Sequence, residues 1–390
     1  MKRALSLAVA LLAMVGCVSI EPAATVAVPA QTISPAVVRV DFSSSAILDQ
    51  SASGEAGVAG RPVTIDDPVR VASISKLVVA LGVMRLVEQG KIDLDRDVGD
   101  YLGWRVRNPA FPDTPITMRQ LLSHRSGLRD NIDYIVPLDG DLSVVMAKPE
   151  AWEAAHAPGA YFYYANINSP LIAAVMEGTT GERFDRLMAR LVLGPLKLDA
   201  CYNWGAGCSD DRRAQAVTLL RPNGDLARDA AITGKDPCAV YPASDGSCDV
   251  DKLYRLARNG SAFSPQGGLR ISARDLAKIG QLILNDGAPL LSKKTFAEMI
   301  GPVWAYNGKS GDGSNGEDNQ GYFRAYGLGV HHLDDGQNAP GPGQWIGHVG
   351  EAYSLRAGFW VNRKAGKGFV RYVTMVDEFA PVGNCFEKCP

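Results

Sequence analysis

Residues 73–81 read Ser73-Ile74-Ser75-Lys76-Leu77-Val78-Val79-Ala80-Leu81, a serine and a lysine three apart at the head of an apolar run. In a helix, positions three apart share a face, so this spacing sets a lysine amine beside a serine hydroxyl. A free serine hydroxyl is a weak nucleophile and needs a base at hand. Burial disfavours an ammonium and lowers its pKa, which turns a lysine into that base. Leu77 to Leu81 would supply the burial. The plainer reading is a helix start, with Ser73 as N-cap and Lys76 in solvent. Ser-x-x-Lys alone does not choose between the two, because a chain this long contains about one by chance.

Two later segments bear on the choice. One is Tyr164-Ala165-Asn166, in the stretch Pro158-Gly159-Ala160-Tyr161-Phe162-Tyr163-Tyr164-Ala165-Asn166; the other is His348-Val349-Gly350, just before the strand-like Tyr353 to Val361. Neither Tyr-x-Asn nor His-x-Gly occurs a second time. Taken in order, Ser-x-x-Lys, Tyr-x-Asn and His-x-Gly resemble the motifs of the serine β-lactamase and penicillin-binding-protein superfamily. The likeness is to its broad class C branch, which holds class C β-lactamases, D-alanyl-D-alanine carboxypeptidases, D-aminopeptidases and β-lactamase-fold esterases. It runs from about Val69 to about Val376. Leu86 to Leu94 is similar to the family stretch after the nucleophile helix, and Ile116 to Leu128, with Leu121-Leu122-Ser123-His124-Arg125-Ser126-Gly127-Leu128, to its "LL-T-H-T-S-G-L" segment. Gly267 to Leu276 and Tyr326-Gly327-Leu328-Gly329 resemble two further family segments.

The resemblance implies roles. Ser73 would attack a carbonyl and form an acyl-enzyme that water releases. Lys76 would be the general base or its electrostatic partner. Tyr164 would be the second proton-transfer group, a phenol lowered toward phenolate by a nearby ammonium. Asn166 would hydrogen-bond Lys76 or a substrate amide. His348 and Gly350 would form the third motif, and the oxyanion hole would be the backbone N–H groups of Ser73 and Glu351. Glu351 departs from the small residue common there, and its side chain would narrow the cleft or meet a substrate amine. A histidine in the third motif, rather than a lysine, resembles the carboxypeptidase and aminopeptidase relatives. Lys309-Ser310-Gly311 and Lys364-Ala365-Gly366 compete for that motif, the first in a polar Gly-rich loop and the second in a hairpin turn. The bland readings are core packing and a turn for Tyr164 to Asn166, and a satisfied strand histidine for His348. His124 reads as structural, and His331 and His332 as surface residues.

The chain as a whole sets bounds. Its 390 residues are 46% hydrophobic, enough for a sizeable core, and a net charge of −2 gives no support to a nucleic-acid partner. No phosphate loop, dinucleotide-binding pattern or metal-ligand spacing is present, so neither a cofactor nor a metal is expected. Lys2 and Arg3 precede an apolar run from Ala4 to Val15, too short to span a bilayer but suited to a signal peptide. Met14-Val15-Gly16-Cys17 resembles a bacterial lipobox, which predicts lipidation of Cys17 and an exported, periplasmic protein anchored to a membrane. The other reading is ordinary cleavage nearby that removes Cys17. Six further cysteines form three close pairs: Cys201 and Cys208, Cys238 and Cys248, Cys385 and Cys389. Short-range disulfides are the expectation in an oxidising compartment.

The organisation follows: residues 1–16 as signal peptide, 17–35 as an Ala/Val/Pro/Thr-rich tether, and 36–390 as one hydrolase domain with a helical region over about 95–300. Ala36 to Leu48 and Val63 to Ile65 have strand character around a turn at Gly54 to Gly60. Leu77 to Val87 reads as a buried helix, and Leu171 to Glu177, Phe184 to Val192 and Leu276 to Leu284 as further helices. Gly308 to Gly321 is a polar loop. Tyr353 to Val361 and Phe369 to Val376 flank the turn Asn362 to Gly368, a hairpin signal. Strands at both ends with helices between them predict an α/β (α+β) fold of the β-lactamase/transpeptidase kind: an antiparallel sheet from the two termini, flanked by helices, with a mostly helical insert. The expected activity is serine hydrolysis of an amide or ester, such as a D-amino-acid peptide, an ester or a β-lactam. The competing expectation is a module that binds peptidoglycan fragments or β-lactams in the same cleft without turnover.

Overall fold

Val38, Val40 and Phe42 are fully buried while their neighbours are half-exposed, the period-two pattern of a strand with one face on the core. This strand, β1 (Val37–Ser43), pairs antiparallel with β2 (Ile47–Ser53) on one side and with the C-terminal β11 (Lys367–Val373) on the other. The computed structural model describes residues 33–57, 60–226, 238–306, 323–333 and 339–377. Its remaining strands are β3 (Val69–Arg70), β4 (Cys201–Tyr202), β5 (Leu269–Ile271), β6 (Trp304–Ala305), β7 (Ala325–Tyr326), β8 (His331–Leu333), β9 (Trp345–Ala352) and β10 (Leu355–Asn362). They form an eight-stranded antiparallel sheet ordered β2-β1-β11-β10-β9-β8-β7-β6, and a three-stranded one ordered β3-β5-β4. The first and last strands of the described residues therefore meet at the β1–β11 pairing, with Val37 opposite Val373. The expected C-terminal hairpin is β10 and β11, and Lys364 to Gly366 lies in its turn.

Helix Ser75–Glu88 is buried from Ser75 through Met84 and again at Leu86. A helix apolar on every side belongs in the middle of a protein, and this one packs against Lys293–Ile300, Asn168–Thr180 and Ala189–Leu193. Helix Ala273–Leu284 is capped by the Ser272 hydroxyl, which accepts from the Asp275 N–H at 3.1 Å, and it lies across β1, β10 and β11. At Gly280 on that helix, a Cβ would fall 2.0 Å from the Phe42 ring, so only glycine allows the close approach to the sheet.

The structure departs from the sequence reading in three places. The run Ala36 to Leu48 is a hairpin rather than one strand, because the Ser43 hydroxyl accepts the Ala46 N–H and turns the chain. Val63 to Ile65 forms no strand; only a single bridge, Glu55 to Pro62, closes the excursion after β2. His331 is not a surface residue: it lies on β8 with its side chain fully buried among Tyr326, Phe323 and Trp360, and His332 is half-buried. The expected signal peptide, Cys17, the loop Gly308 to Gly321 with Lys309 to Gly311, and Cys385 and Cys389 lie outside the described residues. Disulfides join Cys201 to Cys208 and Cys238 to Cys248.

Candidate active site

Ser73 stands on a single 3-10 turn, Ala72–Ile74, that feeds directly into helix Ser75–Glu88. Its hydroxyl caps nothing, and Lys76 is buried at 5% exposure, so the plain helix-start reading does not describe this segment. Ala72 holds a left-handed backbone, φ 47°, which costs a non-glycine residue roughly 1–3 kcal/mol and persists only where neighbours fix it. Two neighbours do so. The Ser75 hydroxyl donates to the Ala72 carbonyl and accepts from the Leu269 N–H of β5. On the other side β9 presses in: at Gly350 a Cβ would lie 2.2 Å from the Val71 carbonyl oxygen. Gly350 thus lets the strand backbone ride against the turn that carries Ser73.

The Lys76 ammonium spends all three of its protons on Ser73 Oγ at 2.8 Å, Asn166 Oδ1 at 2.8 Å and the Gln266 carbonyl at 3.0 Å. Burial lowers its pKa from 10.5 to about 7, while Asp130 pulls the other way. Near neutral pH a large share of Lys76 is therefore a neutral amine. Its two remaining protons suit the two obligate acceptors, and its lone pair is left for the Ser73 hydroxyl.

Tyr164 lies alongside. Its ring stacks on Phe323 at 4.7 Å, meets the His124 ring at 4.4 Å, and has Lys76 Nζ 4.9 Å above its centre. Burial pushes the Tyr164 hydroxyl above the ordinary tyrosine value, rather than toward phenolate as the sequence reading expected. The nearby Ser73 hydroxyl moderates that rise, although the two do not meet in a bond of good geometry and the buried phenol oxygen has no partner at hydrogen-bonding geometry. The reason is dielectric: a phenolate in an apolar wall loses more solvation than one half-neutral amine returns. The environment thus suits Lys76 to accept a proton and keeps Tyr164 protonated.

His348 sits on β9 behind Tyr164, fully buried. Its Nδ1 lies 2.6 Å from its neighbour's carbonyl, Val349 O, so that nitrogen bears the proton, and Nε2 accepts from the Tyr326 hydroxyl at 2.8 Å. Burial holds its pKa down to about 3, so it is a neutral imidazole and not the cation that a lysine would be. His124 is neutral for the same reason. Its Nδ1 faces the Ala165 N–H and the Asn168 side-chain amide, each at 3.2 Å, which steadies the strip carrying Tyr164 and Asn166.

Ser73, Tyr164, Asn166 and Glu351 line one cleft of about 320 Å³, together with Arg70 and Tyr134. The cleft brings together every residue singled out from the three motifs except His348 and Gly350, which support it from behind, and Lys76, which reaches Ser73 from below. Glu351 does not stand free in the cleft: its carboxylate pairs with the buried Arg356 opposite it on β10, at 3.3 Å. Arg70, at the end of β3, and Tyr134 are among the lining groups that escaped the sequence reading, because isolated side chains carry no motif. Asp130 also escaped. Its carboxylate accepts from the Asn166 N–H at 2.8 Å, the Asn166 side-chain amide at 3.0 Å and the Ile167 N–H at 2.9 Å. The available signal was its place just after Ser126-Gly127-Leu128. Among the described residues, no group of three His, Cys, Asp or Glu side chains is placed to hold a metal ion.

The Beta-lactamase family model matches residues 45–383. The chain is 32% identical over 285 residues to esterase EstB of Burkholderia gladioli, a match covering 64% of this chain and 67% of EstB. It is 26% identical over 195 residues to the D-alanyl-D-alanine-carboxypeptidase/endopeptidase AmpH of Escherichia coli, covering 48% of this chain and only 46% of AmpH. Among solved structures, the D-amino acid amidase of Ochrobactrum anthropi complexed with D-phenylalanine superposes with a TM-score of 0.60 at 19% identity, over 90% of each chain, which speaks to the fold alone. With its antiparallel sheet, its serine–lysine turn and a family model spanning most of its length, this chain belongs to the Beta-lactamase family, whose relatives are serine hydrolases.

Proposed function

We propose that this protein is an exported serine hydrolase that cleaves carboxylic esters through an acyl-enzyme on Ser73. The observation that carries the reading is the Lys76 amine, 2.8 Å from Ser73 Oγ with its pKa lowered to about 7. Ser73 Oγ bonds to the ester carbonyl carbon as its proton passes to Lys76 Nζ. The N–H groups of Ser73 and Glu351 receive the oxyanion. Collapse breaks the bond to the leaving alkoxide, which takes a proton from the Tyr164 hydroxyl, and the Lys76 ammonium makes good that proton. Water then attacks the acyl carbon, gives its proton to the same pair, and releases the acid as Ser73 recovers its own.

Two observations favour an ester over a carboxylate-bearing peptide. EstB is an esterase by name and matches at 32% identity. The neutral, buried His348 offers no charge to a substrate carboxylate. D-Amino-acid amides are the second substrate class, in keeping with the names of AmpH and the amidase. The test is steady-state turnover of matched p-nitrophenyl esters, D-amino-acid amides, D-alanyl-D-alanine peptides and a chromogenic β-lactam by the full chain. Ester turnover that is lost in Ser73→Ala with the fold intact is the expected result; turnover retained in that variant, or none on any substrate, refutes the reading. Export and anchoring rest on Lys2, Arg3, the apolar run to Val15 and Cys17, and the two disulfides suit an oxidising compartment. Acylated Cys17 in the membrane fraction is the expected finding, and a mature chain starting beyond Cys17 would contradict it.

A further inference from the structure

Lys76 can serve as a base only if its lone pair faces Ser73, and that depends on what its other two neighbours are. The Gln266 carbonyl can only accept. Asn166 is different: an amide turned by half a rotation would present N–H groups to the amine instead of an oxygen. Asp130 removes that freedom. One of its carboxylate oxygens takes both the backbone and the side-chain N–H of Asn166, and the other takes the Ile167 N–H at the start of helix Asn168–Thr180. With Nδ2 committed to a carboxylate, Oδ1 must face Lys76, at 2.8 Å. Flipping the amide would set an oxygen against the Asp130 carboxylate and donors against the ammonium, two repulsive contacts at once.

We infer that Asp130 is a positioning residue of this site, one that fixes the Asn166 amide so that the Lys76 lone pair is presented to Ser73. The same carboxylate has an electrostatic effect. The titratable groups facing Lys76 are Ser73 on its own turn, Tyr164, His124, His348 from β9 and Asp130. Burial keeps both histidines neutral and Tyr164 protonated, which leaves Asp130 as the charge that holds the proton on Lys76 against desolvation. It keeps the lysine from shedding its proton altogether, so that the amine both accepts from Ser73 and returns the proton later.

The inference rests on Ser73 being activated by Lys76, but not on which ester is cleaved, and its test can be read without turnover. The rate at which a fluorophosphonate modifies Ser73 is measured against pH on the full chain by intact mass, for wild type, Asp130→Asn and Asp130→Glu, with near-ultraviolet circular dichroism as the check on folding. Wild type should rise with a midpoint near the Lys76 value of about 7. Removing the carboxylate charge lowers the proton affinity of Lys76, so the midpoint in Asp130→Asn moves to lower pH. Loss of the amide lock drops the plateau by about 10–100-fold. Asp130→Glu keeps the charge, so its midpoint stays at the wild-type value while its plateau falls. A folded Asp130→Asn chain with the wild-type midpoint and plateau overturns the inference. If that variant does not fold, Asp130→Glu decides: a lowered plateau with the midpoint held in place supports the inference, and a wild-type plateau or a midpoint displaced downward overturns it. Wild-type modification of Ser73 without ester turnover would instead count against the proposed substrate and leave this inference standing.

Discussion

Replacing Lys76 with methionine should kill the enzyme and change how its stability depends on pH. The fall in the lysine pKa from 10.5 to about 7, at about 1.4 kcal/mol for each tenfold change in proton affinity, is worth about 5 kcal/mol. Because the folded value is the lower one, the sign is fixed. Wild type holds this stability above the unfolded value of 10.5 and loses it as pH falls toward 7; below 7 the loss is complete. Methionine fills a similar volume and does not titrate. Relative to wild type, Lys76→Met should therefore gain about 4 kcal/mol from this source at pH 7 and about 1 kcal/mol at pH 10. Asn166 Oδ1 and the Gln266 carbonyl lose a donor in the variant, a cost of roughly 1–3 kcal/mol each if they stay dry. That cost does not vary with pH, so it offsets both values alike and leaves the difference of about 3 kcal/mol intact. Guanidinium unfolding followed by tryptophan fluorescence at several pH values between these limits measures the gap. A gap that stays constant with pH would mean that Lys76 is not strongly perturbed, and would remove the base from the proposed mechanism.

Three other outcomes follow from the same geometry. Gly350→Ala sets a methyl 2.2 Å from the Val71 carbonyl oxygen, so β9 must move away from Ser73; kcat/KM should fall about 100-fold in steady-state assays while a folded chain persists. His348→Asn should lower the rate yet leave the acid limb of the pH–rate profile where it was, because His348 titrates at about 3 and the limb belongs to Lys76; a displaced limb would contradict that assignment. Glu177 is fully buried, and its carboxyl is raised from 4.5 to about 7, chiefly by burial, despite donors from Phe184, Tyr254 and Ala257. A raised folded value means stability present below 4.5 and lost as pH rises through 7, about 3 kcal/mol in all. Glu177→Gln should be less stable at pH 5 but flatter in melting temperature from pH 5 to 8.

The legible parts of the fold were those written in periodicity. The strand character of the run that starts at Ala36, the apolar stretch after Lys76 and the C-terminal hairpin all appear, the first of them shorter than read. The first run was misread because Ser43 and its neighbours bend the chain through one hydroxyl, a local bond that a hydrophobic pattern does not register. His331 was misplaced because a histidine next to a strand end looks polar, whereas β8 is a short strand covered by an aromatic cluster assembled from Phe162, Phe323, Tyr326 and Trp360. In the site, it was the resemblance of three short motifs, taken in order, that marked Ser73, Lys76, Tyr164 and Asn166, and the structure sets the four side by side. The protonation of Tyr164 was not legible, since it depends on how many apolar groups surround the ring. Nor was the engagement of Glu351 with Arg356, which are opposite one another only through the β9–β10 register. Asp130 lies 36 residues before Asn166 and is brought to it only by the fold.

The central claim is that Ser73 carries the acyl group, and it can be tested by acid-quenching the full chain during turnover of a p-nitrophenyl ester and mapping the adduct by peptide mass. The account predicts a transient acyl adduct confined to the peptide bearing Ser73, formed faster as pH rises through about 7. An adduct on another residue, or burst-free release of nitrophenol with no adduct at any time, would contradict it.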